Sequence, residues 1–474
     1  MAIALTGCDR RPDKGPVIVS AIGGTPALVD AARGRPDTAQ KLMVDSLAQG
    51  LVRFDAGGQI EQGLAERWIV IDGGLTYIFR LRDAEWQDGN HVTADQVVAI
   101  LKRQIAPGSR NPLAPFLTAI GDIVVMTPQV IEVRLKRPRP DLLKLFAQPE
   151  LALVRTNPPG GSGPFRIAVE GRSPLLRPAF DRDRADPDDL RTLAPETEVR
   201  LIGERASLAI ARFAHRDSDL VAGGTFVDWP ILAQASIAPA NIQVDPAAGL
   251  FGLAFANRDG FLADPVNRAA VAQAIDRGAA TAAVRPNWAS TEQILPEALD
   301  SAAPPVVPVW AQVPLADRVA AAKAHVGLWP VRPMLRIALP TGPGATLLYG
   351  QIAASLIAIG AIATRVAATA DADLRLIDRV APYDSARWYF ANACAPCGAA
   401  ALTAILAARD APTLEERSRR LADADLALAQ DVAFIPIAHP LRWSLVATRL
   451  RQFQPNPRAW HPLNRLRADT SYPQ

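Results

Sequence analysis

Residues 64–103, LAERWIVIDGGLTYIFRLRDAEWQDGNHVTADQVVAILKR, place the signals of a strand, a turn, a second strand and a capped helix in one fixed order. Leu75, Tyr77, Phe79 and Leu81 alternate with Thr76, Ile78, Arg80 and Arg82. That period of two predicts a strand buried on one face. Asp72, Gly73 and Gly74 just before it tolerate positive φ, so a hairpin turn is expected there. Thr93 followed three residues later by Gln96 is a capping box, and Val97, Ile100 and Leu101 supply the apolar stripe of the helix it opens.

Further along, Asp264 is placed to cap a helix with Pro265 in its first turn, and Val271 with Ile275 begins a buried stripe. Residues 334–339 alternate as a strand. Leu348, Ile352, Leu356 and Ile359 mark a helix face that stops at Gly360, and a crossover into a parallel strand at 363–366 follows. Thr413 with Glu416 is a second capping box, opening a helix that runs to Gln430.

Length and composition narrow the class. The chain has 474 residues, of which 49% are apolar, enough for two or three domains with full cores. Its formal charge is +3 and it carries no long basic block, which argues against a nucleic-acid-binding surface. The longest apolar region, 345–370, is interrupted by Tyr349, Gln351, Ser355 and Arg365 and falls short of a membrane span. His91, His215, His325, His439 and His461 are scattered without HExxH or paired spacing, and no G-x-S-x-G elbow occurs. Neither a metal nor a cofactor is expected.

The 64–103 stretch resembles the signature of the family 5 extracytoplasmic solute-binding proteins, the peptide and nickel receptors of ABC importers. Their usual form is LAxSWxVSxDGxTYTFxLRxGVxFxDGxPxTAxDVxxSxxR. Leu64, Trp68, Asp72, Gly74, Thr76, Tyr77, Phe79, Leu81, Arg82, Asp88, Gly89, Thr93, Ala94, Asp95 and Arg103 stand in register with it. GSGPF at 161–165 is similar to the family's GTGPY turn, and DPVNRAAVAQAIDR at 264–277 resembles its PFxDxRVRxAxxxAIDR segment.

The resemblance implies an α/β chain with the two-lobed periplasmic binding protein type II fold and an additional domain inserted in the first lobe. Lobe one would use 9–41, 161–249 and 440–474, the additional domain 42–160 and lobe two 250–439, with a partial lipoprotein signal at 1–8. The function implied is that of an extracytoplasmic receptor. It would capture a peptide or similar small polar solute between the lobes and hand it to an ABC permease, as a monomer and without bond chemistry. A degenerate member serving as a sensory or interaction domain is the alternative within the family. An anchored extracytoplasmic enzyme is the rival from another class.

Leu5-Thr6-Gly7-Cys8 resembles a bacterial lipobox, in which Cys8 takes the lipid that holds the protein to a membrane surface. The four residues ahead of it are too short for a leader and hold no Lys or Arg, so this reading needs an upstream start. Cys394 and Cys397 then remain as CAPC, expected to form a small structural disulfide in an oxidising compartment, with a redox or metal pair as the alternatives.

Peptide receptors of the family carry a pattern similar to GWxxDxxDPxxFL, whose first Asp neutralises the peptide ammonium. The matching stretch is LIDRVAPYDSARWYF at 376–390. Asp384 fits the Asp of DP, but the ammonium position falls at Ala381, and Asp378 replaces it only if the loop is re-registered. Turn or capping roles for Asp378 and Asp384 are the other reading. Arg379 and Arg387 are candidates to fork a ligand carboxylate, or else are salt-bridged arginines. Trp229, Tyr383, Trp388 and Trp443 are candidates for flat cleft walls or for core. His439 stands where the family has an aromatic facing the hinge.

Overall fold

A computed structural model describes residues 14–179, 195–296 and 299–467. The deciding stretch folds as Ala65–Ile71, a turn at 72–74, Thr76–Leu81 and the helix Ala94–Ile105. Tyr77, Phe79 and Leu81 are buried while Arg80 is exposed, as the alternation requires. Gly73 and Gly74 take φ of 63° and 90°, the left-handed backbone that glycine accepts without steric cost. Both halves of the capping box form, and Gln96 Oε1 also accepts from Trp86 Nε1 at 2.9 Å, which fastens the preceding loop to the helix start.

Three larger sheets organise the described residues. Seven strands lie in the order Phe165–Val169, Leu175–Pro178, Val199–Glu204, Val17–Ile22, Leu220–Thr225, Arg442–Val446 and Ile242–Val244. Five follow the order Ile362–Ala367, Met334–Leu339, Leu374–Val380, Gly249–Phe255 and Phe434–Ala438. The third sheet pairs Ala65–Ile71, Thr76–Leu81, Val130–Leu135 and Ile120–Thr127, all antiparallel. In the seven-stranded sheet Val17–Ile22 is parallel to both its neighbours, and in the five-stranded sheet Met334–Leu339 is. Such parallel pairs need crossover connections, and Pro343–Ala358 is one of them.

The expected helix at Asp264 forms as Pro265–Ala274, with the Asp264 carboxylate accepting from Val266 N at 2.8 Å. Ile275 is its buried C-cap, and Asp276 caps a second helix, Arg277–Val284, so the stripe continues across a break. Leu348, Ile352, Leu356 and Ile359 are all buried, and Gly360 follows with φ of 90°. The helix Leu414–Asp431 receives half of its capping box: Thr413 accepts from Glu416 N, while the Glu416 side chain turns to Arg420. No described helix is long and apolar enough to cross a membrane.

One apolar core joins the four-stranded unit to the helices Ala386–Ala393, Ala399–Asp410 and Leu414–Asp431 of the five-stranded unit. A second fills the five-stranded unit and a third the seven-stranded one.

Candidate ligand-binding site between the sheets

The chain passes between the seven- and five-stranded sheets at 245–248 and again at 439–441. The first crossing is fastened at both ends: Asp245 N donates to Arg442 O, just past the second crossing, at 3.0 Å, and Ala248 O accepts from Ala381 N, just past the strand Leu374–Val380, at 2.8 Å. Two short connections side by side can absorb a rotation of one body against the other. Asp378, near the end of Leu374–Val380, meets Arg442 of the other sheet at 2.8 Å across this junction.

The four-stranded unit closes the other side. The carboxylate of Asp384 takes Lys144 from the helix Leu142–Phe146 and Arg458 from the C-terminal segment, which binds three separate regions of the chain at one point. Burial opposes ionisation of Asp384, yet the hydrogen bond from Lys144 and the charge of Arg458 outweigh it and hold the carboxyl below its ordinary range. Gln148 Nε2 donates to Pro382 O at 2.7 Å, and Arg458 Nη1 to Ala381 O at 2.8 Å. The whole 381–384 loop is therefore gripped from both neighbouring units.

Beside it lies a group of guanidiniums. Arg139 is buried, donating to Pro138 O at 2.8 Å and to Arg409 O at 2.6 Å. Arg387, also buried, reaches Pro115 O at 2.9 Å and lies 5.6 Å from the Phe116 ring. Arg417 binds Asp300 at 2.5 Å and Ser385 Oγ at 2.7 Å, and Arg137 binds Asp410 at 2.9 Å. Burial, followed by the charges of Arg417, Arg387 and Arg137, brings Arg139 down to about 9. Asp141 is pushed up to about 6 by burial and by Asp300.

The residues singled out from the sequence fall into distinct places. Asp384 and Asp378 are ion-paired, each across a junction between units. Arg379 gives Nη1 to Asn392 Oδ1 at 2.5 Å, and burial together with Arg35 lowers its pKa. Tyr383 and Trp388 are each 4% exposed and pack within the apolar core, Tyr383 edge-on to Phe116 and Trp388 edge-on to Tyr389; a flat cleft wall is not their position here. Trp443 is likewise buried, donating Nε1 to Thr225 O at 2.8 Å. Trp229 stacks under Arg285 at 4.8 Å. His439 is exposed on the second crossing, and its carbonyl accepts from Trp288 Nε1 at 3.0 Å. Cys394 and Cys397 form a disulfide with Cα atoms 4.8 Å apart. Cys8 lies outside the described residues. Among the described residues no group of three or more His, Cys, Asp or Glu is arranged to hold a metal.

Lys144, Arg458, Arg139 and Arg417 carried no sequence signal. In a chain this rich in arginine, nothing local separates one that bridges units from one that is solvated.

The family described as "Bacterial extracellular solute-binding proteins, family 5 Middle" matches residues 59–326. The chain belongs to family 5 of these proteins. It is 31% identical over 145 residues to the Escherichia coli K12 protein named "Probable deoxycholate-binding periplasmic protein YgiS", a match that spans 27% of this chain and 27% of that relative. The structure of Haemophilus influenzae OppA in complex with RPPGFSPFR is similar at a TM-score of 0.79 and 17% identity, covering 96% of this chain and 99% of that one. The Escherichia coli murein tripeptide binding protein MppA is similar at 0.80 and 19%, covering 95% and 98%. The fold of this family 5 protein is the two-lobed type II periplasmic binding protein fold.

Proposed function

We propose that this family 5 protein is the extracytoplasmic receptor of an ABC importer, capturing a peptide or similarly sized polar solute between its lobes and delivering it to a permease. The observation that carries the reading is the junction itself. Asp384 gathers Lys144 and Arg458, and Asp378 meets Arg442, so the bodies on either side are joined by polar contacts at their meeting faces and by two short chain crossings. A solute touching both faces binds the closed arrangement more tightly than the open one, and differential affinity of that kind is what drives closure. The peptide and tripeptide named for OppA and MppA support the size class of solute. Family members are binding proteins, and the receptor's work here is capture and handover without bond chemistry. The reading includes a lipid anchor at Cys8 and a monomeric receptor working outside the cytoplasm.

Thermal-shift screening of ligand-free protein against di-, tri- and oligopeptides, nickel chelates, opines and short glycans tests it. A true ligand at 100 times its dissociation constant adds about 2.7 kcal/mol. Absence of a shift with every class overturns the receptor reading and leaves a sensory or interaction role. For the anchor, Cys8→Ser in the protein expressed with its upstream leader releases it from membranes or leaves it unprocessed; unchanged membrane retention overturns that part.

A further inference from the structure

Residues 318–370 contain no Asp or Glu, yet carry Arg318, Lys323, Arg332, Arg336 and Arg365. Arg318 and Arg336 are answered from outside the stretch, by Glu292 at 3.0 Å and Asp373 at 3.2 Å. Lys323 and Arg332 are exposed, and among the described residues neither meets a carboxylate; Arg332 gives Nε to Gly360 O at 2.8 Å. The same stretch holds the apolar region 345–370, folded as the helix Pro343–Ala358 and the edge strand Ile362–Ala367.

Those two cations border a group of exposed apolar side chains. Leu328, Val331 and Met334 are 82%, 71% and 64% exposed, and Trp329, Ile357 and Ile362 are exposed as well. They share one surface: Ile362 N donates to Pro333 O at 2.7 Å, Met334 stands beside Ile362 in the parallel ladder, and Arg332 ties the loop to Gly360, just past Ile357. The loop is held firm. Leu328 N donates to His325 O and Trp329 N to Val326 O, the Trp329 ring packs edge-on to Phe261 at 5.5 Å, and Pro330 and Pro333 restrict the backbone that follows. The acids nearest Phe261 in sequence are Asp259 and Asp264, and Asp264 is taken up as a helix cap. Met334 and Ile362 begin their strands, whereas the far end of Met334–Leu339 leads to Gly344 and its contact with the seven-stranded unit. The apolar surface thus lies at the end of the five-stranded sheet turned away from the junction.

An exposed apolar patch rimmed by polar groups marks an interaction surface, and here charge selects the occupant. A second copy of the chain in a two-fold contact would set this positive surface against itself. A bilayer with anionic phospholipid offers both halves of a match: headgroup phosphates for Lys323 and Arg332, and the acyl boundary for Leu328, Val331 and Met334, with Trp329 at the depth its amphipathic ring favours. We propose that the 328–334 loop, with Ile357 and Ile362, docks this protein on an anionic membrane surface. The proposal goes beyond the receptor reading and does not rest on it, since the contact forms whether or not a solute is bound. It is reversible and yields to salt, so it orients the five-stranded unit on the membrane without replacing an anchor at Cys8.

The test is cosedimentation of the full chain, carrying Cys8→Ser so that no acyl chain is attached, with vesicles of equimolar phosphatidylglycerol and phosphatidylethanolamine or of phosphatidylcholine alone. Binding to the anionic vesicles is expected, weakened by added salt. Leu328→Asn with Val331→Asn should reduce it by roughly tenfold or more, because the inserted apolar area is lost. Lys323→Gln with Arg332→Gln should reduce it by roughly tenfold and remove most of the preference for anionic lipid. Each variant is first checked for unchanged thermal unfolding; if the apolar double variant is destabilised, Leu328→Asn alone decides. No cosedimentation with the anionic vesicles overturns the proposal, as does equal binding to phosphatidylcholine or full binding by the apolar variant. A dimer that forms without lipid and is lost in Leu328→Asn, seen by sedimentation velocity, assigns the surface to a second copy and overturns the membrane contact. Solute binding plays no part in these readouts, so the receptor reading and the docking surface fail separately.

Discussion

Asp378 and Arg442 face each other across the junction of two sheets, Arg442 Nη2 2.8 Å from Asp378 Oδ1 and Nη1 donating to Oδ2 at 3.1 Å. Both side chains are 16% exposed. The pair therefore works in a medium where water screens it weakly, and removal of one partner leaves the other charge poorly solvated. Asp378→Asn is expected to cost about 1–3 kcal/mol of stability, read from urea denaturation. The Arg442→Met change in the same background should cost less than it does alone, because the two share one interaction. Strict additivity would show that the pair contributes nothing.

Asp384 is bound by Lys144 and Arg458, so Asp384→Asn leaves two cations facing each other where a carboxylate had joined them. The expected outcome is a shift of the ligand-free protein toward a more open arrangement, seen as a larger radius of gyration in small-angle scattering. The Asp384 side chain is 38% exposed, and solvent screening keeps the loss to about 1 kcal/mol. Its folded pKa is depressed, so this contribution is present above the unfolded value and disappears as pH falls through the lowered one. Unchanged scattering in the variant at neutral pH would show that the bridge does not hold the units together.

Asp425 behaves in the opposite sense. It is buried in the helix Leu414–Asp431, its Oδ2 accepts from Val306 N at 2.8 Å, and burial pushes its pKa up to about 6. The folded state then holds a proton that the unfolded chain, with a carboxyl near about 3.9, releases first. Stability falls as pH rises from about 4 to about 6, and the full cost is carried above that window. Asp425→Asn keeps an acceptor for Val306 and removes the charge. It should raise stability at about pH 7.5 by about 1–3 kcal/mol relative to wild type and make little difference below about pH 4. Equal gains at both pH values would show that charge is not the cause.

The three strongest local patterns in the sequence became structure because local chemistry decides them. The Tyr77, Phe79 and Leu81 alternation, the turn at 72–74 and the Thr93 box each depend on neighbours within four residues. The break at Ile275 was not legible, since Asp276 reads equally well as a helical residue or as a new cap until Ser355 Oγ takes its N–H from another part of the fold. The site was less legible still. Asp384 matches the Asp of the family's DP pair and reads equally well as a ligand-site or a turn residue, because its partners Lys144 and Arg458 lie 240 and 74 residues away in sequence. Arg139 gave no signal at all: its environment is made by helices that begin more than two hundred residues later.

Gly344 offers a test of how closely the seven- and five-stranded units approach. It opens the helix Pro343–Ala358, and its N–H donates to Val227 O at 2.9 Å, just beyond the strand Leu220–Thr225 of the other sheet. A Cβ at this position would stand 1.9 Å from Phe226 O and 2.8 Å from Phe226 C. Those are backbone atoms and cannot swing aside, so Gly344→Ala must displace the helix start from the 226–227 segment. Overpacking of this kind costs about 1–3 kcal/mol, and here the displacement also loosens a contact between the units. Gly350 lies in the same helix, and a Cβ added there would meet nothing within 4 Å, so Gly350→Ala is the control. It should be neutral or stabilising by up to about 1 kcal/mol, since alanine is the better helix former. Thermal unfolding and small-angle scattering of the two variants are expected to diverge, with Gly344→Ala less stable and more open. Parallel behaviour of the two would show that the close approach at Gly344 does not hold the lobes in register.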